Sequence, residues 1–177
     1  MTRTSGRKAR ANGESFEARL DWQHAQYRAR GVAVLRQGPP SRPVRATMGG
    51  RSTILLLPLG DAPPDFLAIA DGITYLFDAK SQEEGPWPLS KLEPHQARAL
   101  DAATLAGCGH VVAGIVLSLE GGRRVFWCPW TALAPLWWAW HRRVGTAARG
   151  TASLSAEDCG RIGRECSGAD WLAAARA

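Results

Sequence analysis

The sequence predicts a single α/β domain in which a mixed β-sheet is flanked by helices. Its 177 residues suit one hydrophobic core. Hydrophobic residues make up 45% and charged residues 21%, as in ordinary globular proteins. Segments with the two-residue period of strands also alternate with segments of helical period. No apolar run approaches the roughly 18 residues that a membrane-spanning helix needs, and no secretory signal is recognised, so we expect a cytoplasmic protein without membrane contact.

The first helix is predicted from Asn12 to about Gly31. Apolar residues recur at roughly helical spacing between Phe16 and Tyr27, and Asn12 is a suitable N-cap. Residues 1–11 are basic and polar without such periodicity. We expect them to form a disordered arm until they meet an anionic partner.

Two hairpins are predicted after this helix. A short strand at Val32–Leu35 is followed by a Pro-rich break at Gly38–Pro43. Gly49-Gly50 then separates two extended segments, which predicts a protruding hairpin. The stronger pattern comes next: Phe66–Ala70 and Ile73–Phe77 flank an Asp-Gly turn, and this arrangement is typical of a tight hairpin.

The second half of the chain alternates helix and strand, and its final part is less regular. Eight tryptophans are present, three of them close together, and we expect these three to pack in the core or a dimer interface rather than stack on bases. Two short helices are expected before Ala177. The other predicted elements are a helix at Glu93–Leu105, strands at Val111–Leu119 and Arg124–Cys128, and a Trp-rich helix at Leu133–Val144.

The charge of the chain is concentrated at its front. The whole sequence carries a formal charge of +6, from 22 basic and 16 acidic side chains. Residues 1–51 contain eleven Arg and Lys against three acids, a net +8, which leaves −2 for the rest. This asymmetry favours a polyanionic partner such as a nucleic acid, although a solvated arginine-rich surface is the plain alternative.

Two carboxylates and a lysine are expected to converge at one end of the second hairpin. Asp78 and Lys80 lie two residues apart after an apolar strand, so they share a face. Asp65 directly precedes the partner strand and should therefore lie beside them. Such oxygens suit Mg²⁺, and Glu17 adds a further ligand if the first helix packs against the hairpin. The alternative is that Asp65 caps a turn and that Asp78 and Lys80 are an ordinary exposed pair on an edge strand.

This arrangement predicts hydrolysis of a phosphodiester. The metal ion would polarise the phosphoryl oxygen and lower the pKa of a bound water, while Lys80 orients that water or stabilises the transition state. Gln96, at the front of the helix that starts near Glu93, is a further candidate that would hydrogen-bond the water or the Lys80 region.

Pro64-Asp65, the hairpin and Asp78-Ala79-Lys80 reproduce the PD-(D/E)xK nuclease signature. The wider order of motifs resembles the RecU-type Holliday junction resolvases, over nearly the whole chain. These further motifs are Asn12-Gly13 with Phe16-Glu17, Tyr27, Gly31, the Pro-rich segment Gly38–Pro43, Pro88-Leu89, His95-Gln96, Phe126–Trp130, the aromatic helix to His141 and Asp170-Trp171-Leu172.

The resemblance implies a restriction-endonuclease-like fold and a homodimer that cuts four-way junction DNA symmetrically with Mg²⁺, or with Mn²⁺. It implies a nuclease domain over residues 12–177, a stalk at about residues 43–62, catalytic roles for Asp65, Asp78 and Lys80, a ligand role for Glu17 and a supporting role for Gln96. The basic residues expected to contact DNA are Arg7, Lys8, Arg10, Arg36, Arg42, Arg45 and Arg51.

The sequence departs from the family pattern in ways that concern selectivity. Asp78 stands where the family usually has Glu, and Pro63 stands where a hydroxyl residue is usual. The predicted stalk is also short and apolar. Two alternatives therefore stay open: another nuclease of the superfamily, of phage or restriction type, or a DNA-binding module without catalytic activity.

The four cysteines are predicted to be free thiols. They are widely spaced and form no close pair of the kind that structural zinc sites use. A metal cluster of Cys159, Cys166 and His141 is a weaker alternative. We therefore expect the acidic residues, and not the cysteines, to bind any metal ion.

Overall fold

A six-stranded mixed sheet is the centre of the molecule. The structure is a computed structural model that describes the backbone of residues 3–38, 41–48, 51–58, 63–106, 109–146 and 150–177, and the side chains of residues 16–38, 63–105, 109–146 and 150–177. In spatial order its strands are β1 (Ala33–Arg36), β4 (Phe66–Ala70), β5 (Ile73–Ser81), β7 (Val111–Leu119), β8 (Arg124–Pro129) and β10 (Arg164–Glu165).

One parallel pair lies in the middle of an otherwise antiparallel sheet. β5 and β7 run parallel, so the chain must cross over between them, and helix α2 (Pro94–Ala106) makes this crossover. The β4–β5 hairpin turns at Asp71-Gly72, where both residues have positive φ. The predicted hairpin, the helix predicted at Glu93–Leu105 and the α/β fold class are therefore confirmed.

Each face of the sheet is covered by its own set of helices. On one face, α1 (Arg3–Ala29) and α5 (Trp171–Arg176) pack through Phe16, Leu20 and Trp171 against alternate strand residues such as Phe77. On the other face, α2, α3 (Trp130–His141) and α4 (Ala156–Ile162) bury a second cluster around Ile115 and Trp137. The two-residue period of the strands divides the apolar side chains between these two cores.

A second hairpin forms a separate two-stranded sheet. β2 (Ser41–Met48) and β3 (Arg51–Pro58) pair antiparallel from Ser41 with Pro58 to Met48 with Arg51. The predicted hairpin is thus present, with its turn at residues 49–50 outside the described part. A further small sheet pairs β6 (Trp87–Pro88) with β9 (Ser153–Leu154).

The first helix begins earlier than the sequence predicts. α1 starts at Arg3, so residues 3–11 continue the helix instead of forming a disordered arm. The prediction relied on apolar periodicity, which residues 3–11 lack, whereas Ala, Arg and Lys have high helix propensity and can extend a helix that is already formed by its packed part. The Trp-rich helix likewise begins at Trp130, directly after Pro129, and not at Leu133. Within the described residues, no helix is both long and apolar enough to cross a membrane.

Candidate active site

The register of the β4–β5 hairpin places Asp65 beside Asp78. Phe66 pairs with Phe77, so continuing the register sets the residue before β4 opposite the residue after Phe77. The Asp65 Oδ2 atom accepts a hydrogen bond of 3.0 Å from the backbone N–H of Ala79, which lies between Asp78 and Lys80. The three residues that the sequence singled out are therefore brought together.

Asp78 is fully buried, and only one of its two carboxylate oxygens accepts hydrogen bonds. Its Oδ1 atom accepts hydrogen bonds from Nε2 of Gln96 at 2.9 Å and from Nζ of Lys80 at 3.5 Å. Its Oδ2 atom has no hydrogen-bond partner among the described residues. A buried carboxylate oxygen without a donor costs free energy, and such a group calls for a functional explanation.

Burial raises the pKa of Asp78 from 3.8 to about 7. The Lys80 ammonium opposes this rise, while the neighbouring Asp65 carboxyl group adds to it by repulsion and by favouring a shared proton. In the absence of a further cation, Asp78 is therefore largely protonated below neutral pH. A cation bound at this position would favour the ionised form.

Lys80 is fixed by two neighbours. Its side chain is 16% exposed, and Nζ donates to Oε1 of Gln96 at 3.1 Å as well as to Asp78. Gln96 thus contacts the acid through its amide N–H and the lysine through its carbonyl oxygen. Together the three side chains form one hydrogen-bonded unit on the face of the sheet that α2 covers.

The start of α2 determines where Gln96 lies. Pro94 occupies the first helical position, where a missing N–H has no cost. Two residues later, Oε1 of Gln96 accepts a hydrogen bond of 3.1 Å from the backbone N–H of Glu93. This is the Glu/Gln half of a capping box. The helix cap and the contact with Asp78 and Lys80 are therefore made by the same side chain.

Comparison with known proteins identifies the family. The model of the family described as Recombination protein U (RecU) matches residues 11–149, which is most of the chain. The chain belongs to the RecU family. The matched segment contains Asp65, Asp78, Lys80 and Gln96, so the family assignment and the side-chain cluster concern the same part of the molecule.

Among solved structures, the RecU chain is similar to Hjc of Archaeoglobus fulgidus, described as a Holliday junction resolvase from an archaeal hyperthermophile. The sequence identity is 16%, the match covers 84% of this chain and 92% of that chain, and the TM-score is 0.45. No curated protein gives a significant match.

Glu17 does not join the two aspartates in this arrangement. Its helix packs against the sheet, as the sequence prediction required, but on the face opposite to α2. The Oε2 atom of Glu17 accepts a hydrogen bond of 2.6 Å from the Arg36 guanidinium. Accordingly, no group of three His, Cys, Asp or Glu residues within the described part of the chain is arranged to hold a metal ion.

Only one of the basic residues assigned to DNA contacts has a described side chain. Arg36, the last residue of β1, is about half exposed and pairs with Glu17. The others lie on described backbone, but their side chains are outside the described part, and their DNA contacts remain predictions. These residues are Arg7, Lys8 and Arg10 in α1, and Arg42, Arg45 and Arg51 in the β2–β3 hairpin.

Sequence reasoning did not assign a role to His24. This residue is 1% exposed, and its Nε2 atom accepts a hydrogen bond of 3.0 Å from the Trp171 indole. Burial lowers the pKa of His24 to about 4, so the imidazole is neutral and available as an acceptor. The nearby Tyr27 hydroxyl donates to Asp170 and accepts from the Leu172 N–H. Periodicity showed His24 and Tyr27 on one helix but could not show what they meet.

The aspartate pair fits a divalent cation. The orphaned Oδ2 atom of buried Asp78 and the adjoining Asp65 carboxylate are hard oxygen donors of the kind Mg²⁺ prefers. The cysteines do not compete for this role, because Cys128, Cys159 and Cys166 are buried free thiols, as predicted. Cys108 lies outside the described residues. His141 packs against Trp137 and not against a thiol cluster.

Proposed function

We propose that this RecU-family chain is a metal-dependent endodeoxyribonuclease that resolves four-way DNA junctions by hydrolysing phosphodiester bonds. One observation carries the proposal: Asp65, Asp78 and Lys80 meet at the end of a hairpin, and an oxygen of the buried Asp78 has no donor. A cation would supply the missing partner. In metal-assisted phosphodiester hydrolysis, the cation works together with positioned side chains that orient the water or stabilise the charge on the phosphate.

Asp65 and Asp78 would hold Mg²⁺ or Mn²⁺. Glu17, which contacts Arg36 in this structure, would become a third oxygen ligand only once that contact opens. The bound ion supplies Lewis-acid chemistry: it polarises the phosphoryl oxygen and makes a water molecule more nucleophilic. The protein contributes a carboxylate pair whose separation is set by the hairpin register and by the hydrogen bond from the Ala79 N–H.

Lys80 and Gln96 would serve the attacking water and the phosphate. The Lys80 ammonium has three N–H donors, and its contacts with Asp78 and Gln96 account for two. The third would orient the water or stabilise negative charge on the phosphate in the transition state. Gln96 acts as a positioning residue, because it holds both Asp78 and Lys80 while capping α2.

The charge at the front of the chain would bind the DNA. Residues 1–51 carry the net positive charge, and they include α1 and most of the β2–β3 hairpin, which we assign to the stalk that enters the junction. A symmetric cut of two opposed strands requires two active sites, so we propose a homodimer. Such a substrate also implies a cytoplasmic, nucleoid-associated location.

The decisive experiment compares two DNA substrates. A four-way junction and a duplex with the same arm sequences are incubated with the full chain, with and without Mg²⁺. We expect metal-dependent nicks at symmetric positions of the junction and much slower cutting of the duplex. Equal cutting of both would instead identify another type of nuclease of this fold. Junction binding with no cutting under any metal condition would identify a binding module without catalytic activity.

A second experiment measures metal binding without activity. Because the folded protein binds the ion and the unfolded chain does not hold the site, Mg²⁺ should raise the melting temperature of the wild type. The rise should be much smaller in Asp78→Asn. Glu84→Gln, which removes an exposed carboxylate elsewhere, is the matched control and should respond like the wild type. An equal response of all three proteins would place the ion elsewhere.

A further inference from the structure

Arg36 interacts with the carboxylates of Glu17 and Asp21 on α1 and with the charge of Asp65. Its guanidinium donates to Oε2 of Glu17 at 2.6 Å and lies 3.9 Å from Oδ2 of Asp21. It also stacks over the ring of Phe66 at 5.6 Å, next to Asp65 in the chain. The hydrogen bond with Glu17 raises the pKa of Arg36, and the charges of Asp21 and Asp65 act in the same direction.

The Glu17–Arg36 contact competes with metal binding by Glu17. The carboxylate oxygen that faces the guanidinium is occupied, and the positive charge of Arg36 disfavours a cation nearby. Both side chains are about half exposed, at 50% for Glu17 and 53% for Arg36. The pair is therefore weak enough to be opened by a stronger partner.

We propose that Arg36 is a positioning residue that couples DNA binding to completion of the metal site: it holds Glu17 in the free protein and exchanges it for a DNA phosphate, which releases Glu17 toward Asp65, whose backbone carbonyl accepts a hydrogen bond from Gln37, the residue after Arg36. This inference rests on the proposed nuclease function. A phosphate is a suitable competitor, because it offers the guanidinium a bidentate contact in place of a single hydrogen bond. The released Glu17 carboxylate is then free to bind the cation, because the positive charge of Arg36 is compensated by the phosphate.

Thermodynamic linkage makes the exchange reciprocal. If phosphate binding at Arg36 strengthens cation binding, cation binding must strengthen phosphate binding by the same factor. The metal would therefore bind weakly to the free protein and more strongly to the protein on DNA. Removing either partner of the ion pair should release the other, and each release is measurable without any cleavage.

Calorimetric titration of Mg²⁺ into the free protein tests whether the Glu17–Arg36 contact weakens metal binding. Arg36→Gln should bind Mg²⁺ about two- to five-fold more tightly than the wild type, since the free energy of an exposed ion pair corresponds to a factor of at most about five. Glu17→Gln alone should bind no more tightly than the wild type, because it leaves the positive charge of Arg36 unpaired. The double variant Arg36→Gln/Glu17→Gln should lose the gain. Arg164→Gln removes an exposed arginine from β10, at the opposite edge of the sheet, and serves as the charge-matched control.

Junction binding in EDTA tests whether Arg36 exchanges Glu17 for a DNA phosphate. Arg36→Gln should bind the junction more weakly and reduce the salt dependence by about one phosphate contact. Glu17→Gln should bind it more tightly than Asp21→Asn does, because only Glu17 makes the short contact with Arg36. If Arg36→Gln folds poorly, Glu17→Gln still tests whether opening the ion pair strengthens junction binding.

The outcomes separate this inference from the proposed function. Unchanged or weaker Mg²⁺ binding in Arg36→Gln overturns the exchange, and so does a gain that persists fully in the double variant, which would reflect charge alone. In either case Mg²⁺ binding that depends on Asp78 leaves the nuclease proposal intact. If no protein in the series binds Mg²⁺, the proposed function itself fails.

Discussion

Asp78 is the residue at which stability and the proposed activity conflict. It is fully buried, and the ionised form lacks one donor. Asp78→Asn should therefore reduce junction cleavage by at least about a hundred-fold, while junction binding in EDTA is retained. The same change should stabilise the metal-free protein by about 2–4 kcal/mol near pH 7.5, because the cost of a buried carboxylate is removed. Cleavage assays and denaturant melts of the purified variant check both statements.

The matched control for Asp78→Asn is Asp71→Asn. Asp71 is exposed in the turn of the same hairpin, where it pairs with Arg176. It should cut like the wild type and show no comparable gain in stability. Cleavage at the wild-type rate by Asp78→Asn would remove Asp78 from the reaction. A loss of stability would contradict the cost that burial imposes on its ionised form.

Gln96 should influence the reaction through Asp78 and Lys80. Gln96→Ala removes the N–H that stabilises the Asp78 carboxylate, so the pKa of Asp78 should rise further. We expect cleavage to fall about 10- to 100-fold, as for residues that orient metal ligands, and the acid limb of its pH profile to move to higher pH. Gln82→Ala, which removes a glutamine that contacts Lys91, is the control. A uniform loss of rate without a shifted profile would indicate a purely structural role.

At the scale of elements, the β2–β3 hairpin is expected to provide junction selectivity but little stability. The two strands form a sheet of their own, separate from the six-stranded sheet. Replacing residues 43–56 with Asn-Gly would join Arg42 to Leu57, which are already paired across the hairpin. The melting temperature should change by only a few degrees, whereas the preference for the junction over duplex should fall about ten-fold.

The control for the shortened hairpin keeps its length. Arg45→Gln/Arg51→Gln removes two charges without removing the hairpin. It should weaken binding to the junction and the duplex alike and reduce the salt dependence. If this variant loses junction preference as fully as the shortened chain, selectivity depends on charge and not on the projection of the hairpin.

At the scale of the whole molecule, two buried groups should give opposite pH dependences. Between about pH 4 and pH 7, folded Asp78 holds a proton that the unfolded chain has lost, so its contribution to stability falls as pH rises. Between about pH 4 and pH 6.5, unfolded His24 holds a proton that the folded chain lacks, so its contribution rises with pH. The two contributions should partly cancel in the wild type.

Single variants should separate these two contributions. Asp78→Asn leaves the His24 effect, and its free energy of unfolding should increase from pH 4 to pH 6.5. His24→Gln keeps an acceptor for the Trp171 indole and should show the opposite slope. Each slope is at most about 1.4 kcal/mol per pH unit. Urea melts at half-unit intervals of pH measure both curves, and parallel curves for the two variants would contradict the opposing shifts.

Local patterns were sufficient for the elements that carry the proposed chemistry. The Asp-Gly turn and two apolar strands predicted the β4–β5 hairpin, and the two-residue period put Asp78 and Lys80 on one face. The meeting of Asp65 with these two follows from the same register. Gln96 was also named from the sequence, because a helix start near Glu93 places it in the first turn, close to the cap.

What the sequence by itself determined is whatever depends on neighbours along the chain: the hairpin, the crossover helix, the charge at the front and the convergence of Asp65, Asp78 and Lys80. Contacts between distant segments were decided only by tertiary structure. Because α1 packs on the face opposite α2, Glu17 forms a hydrogen bond with Arg36, and His24 accepts one from Trp171, 147 residues away. Packing also buried Asp78 and left one of its oxygens without a donor, because burial depends on which surfaces meet and not on sequence spacing.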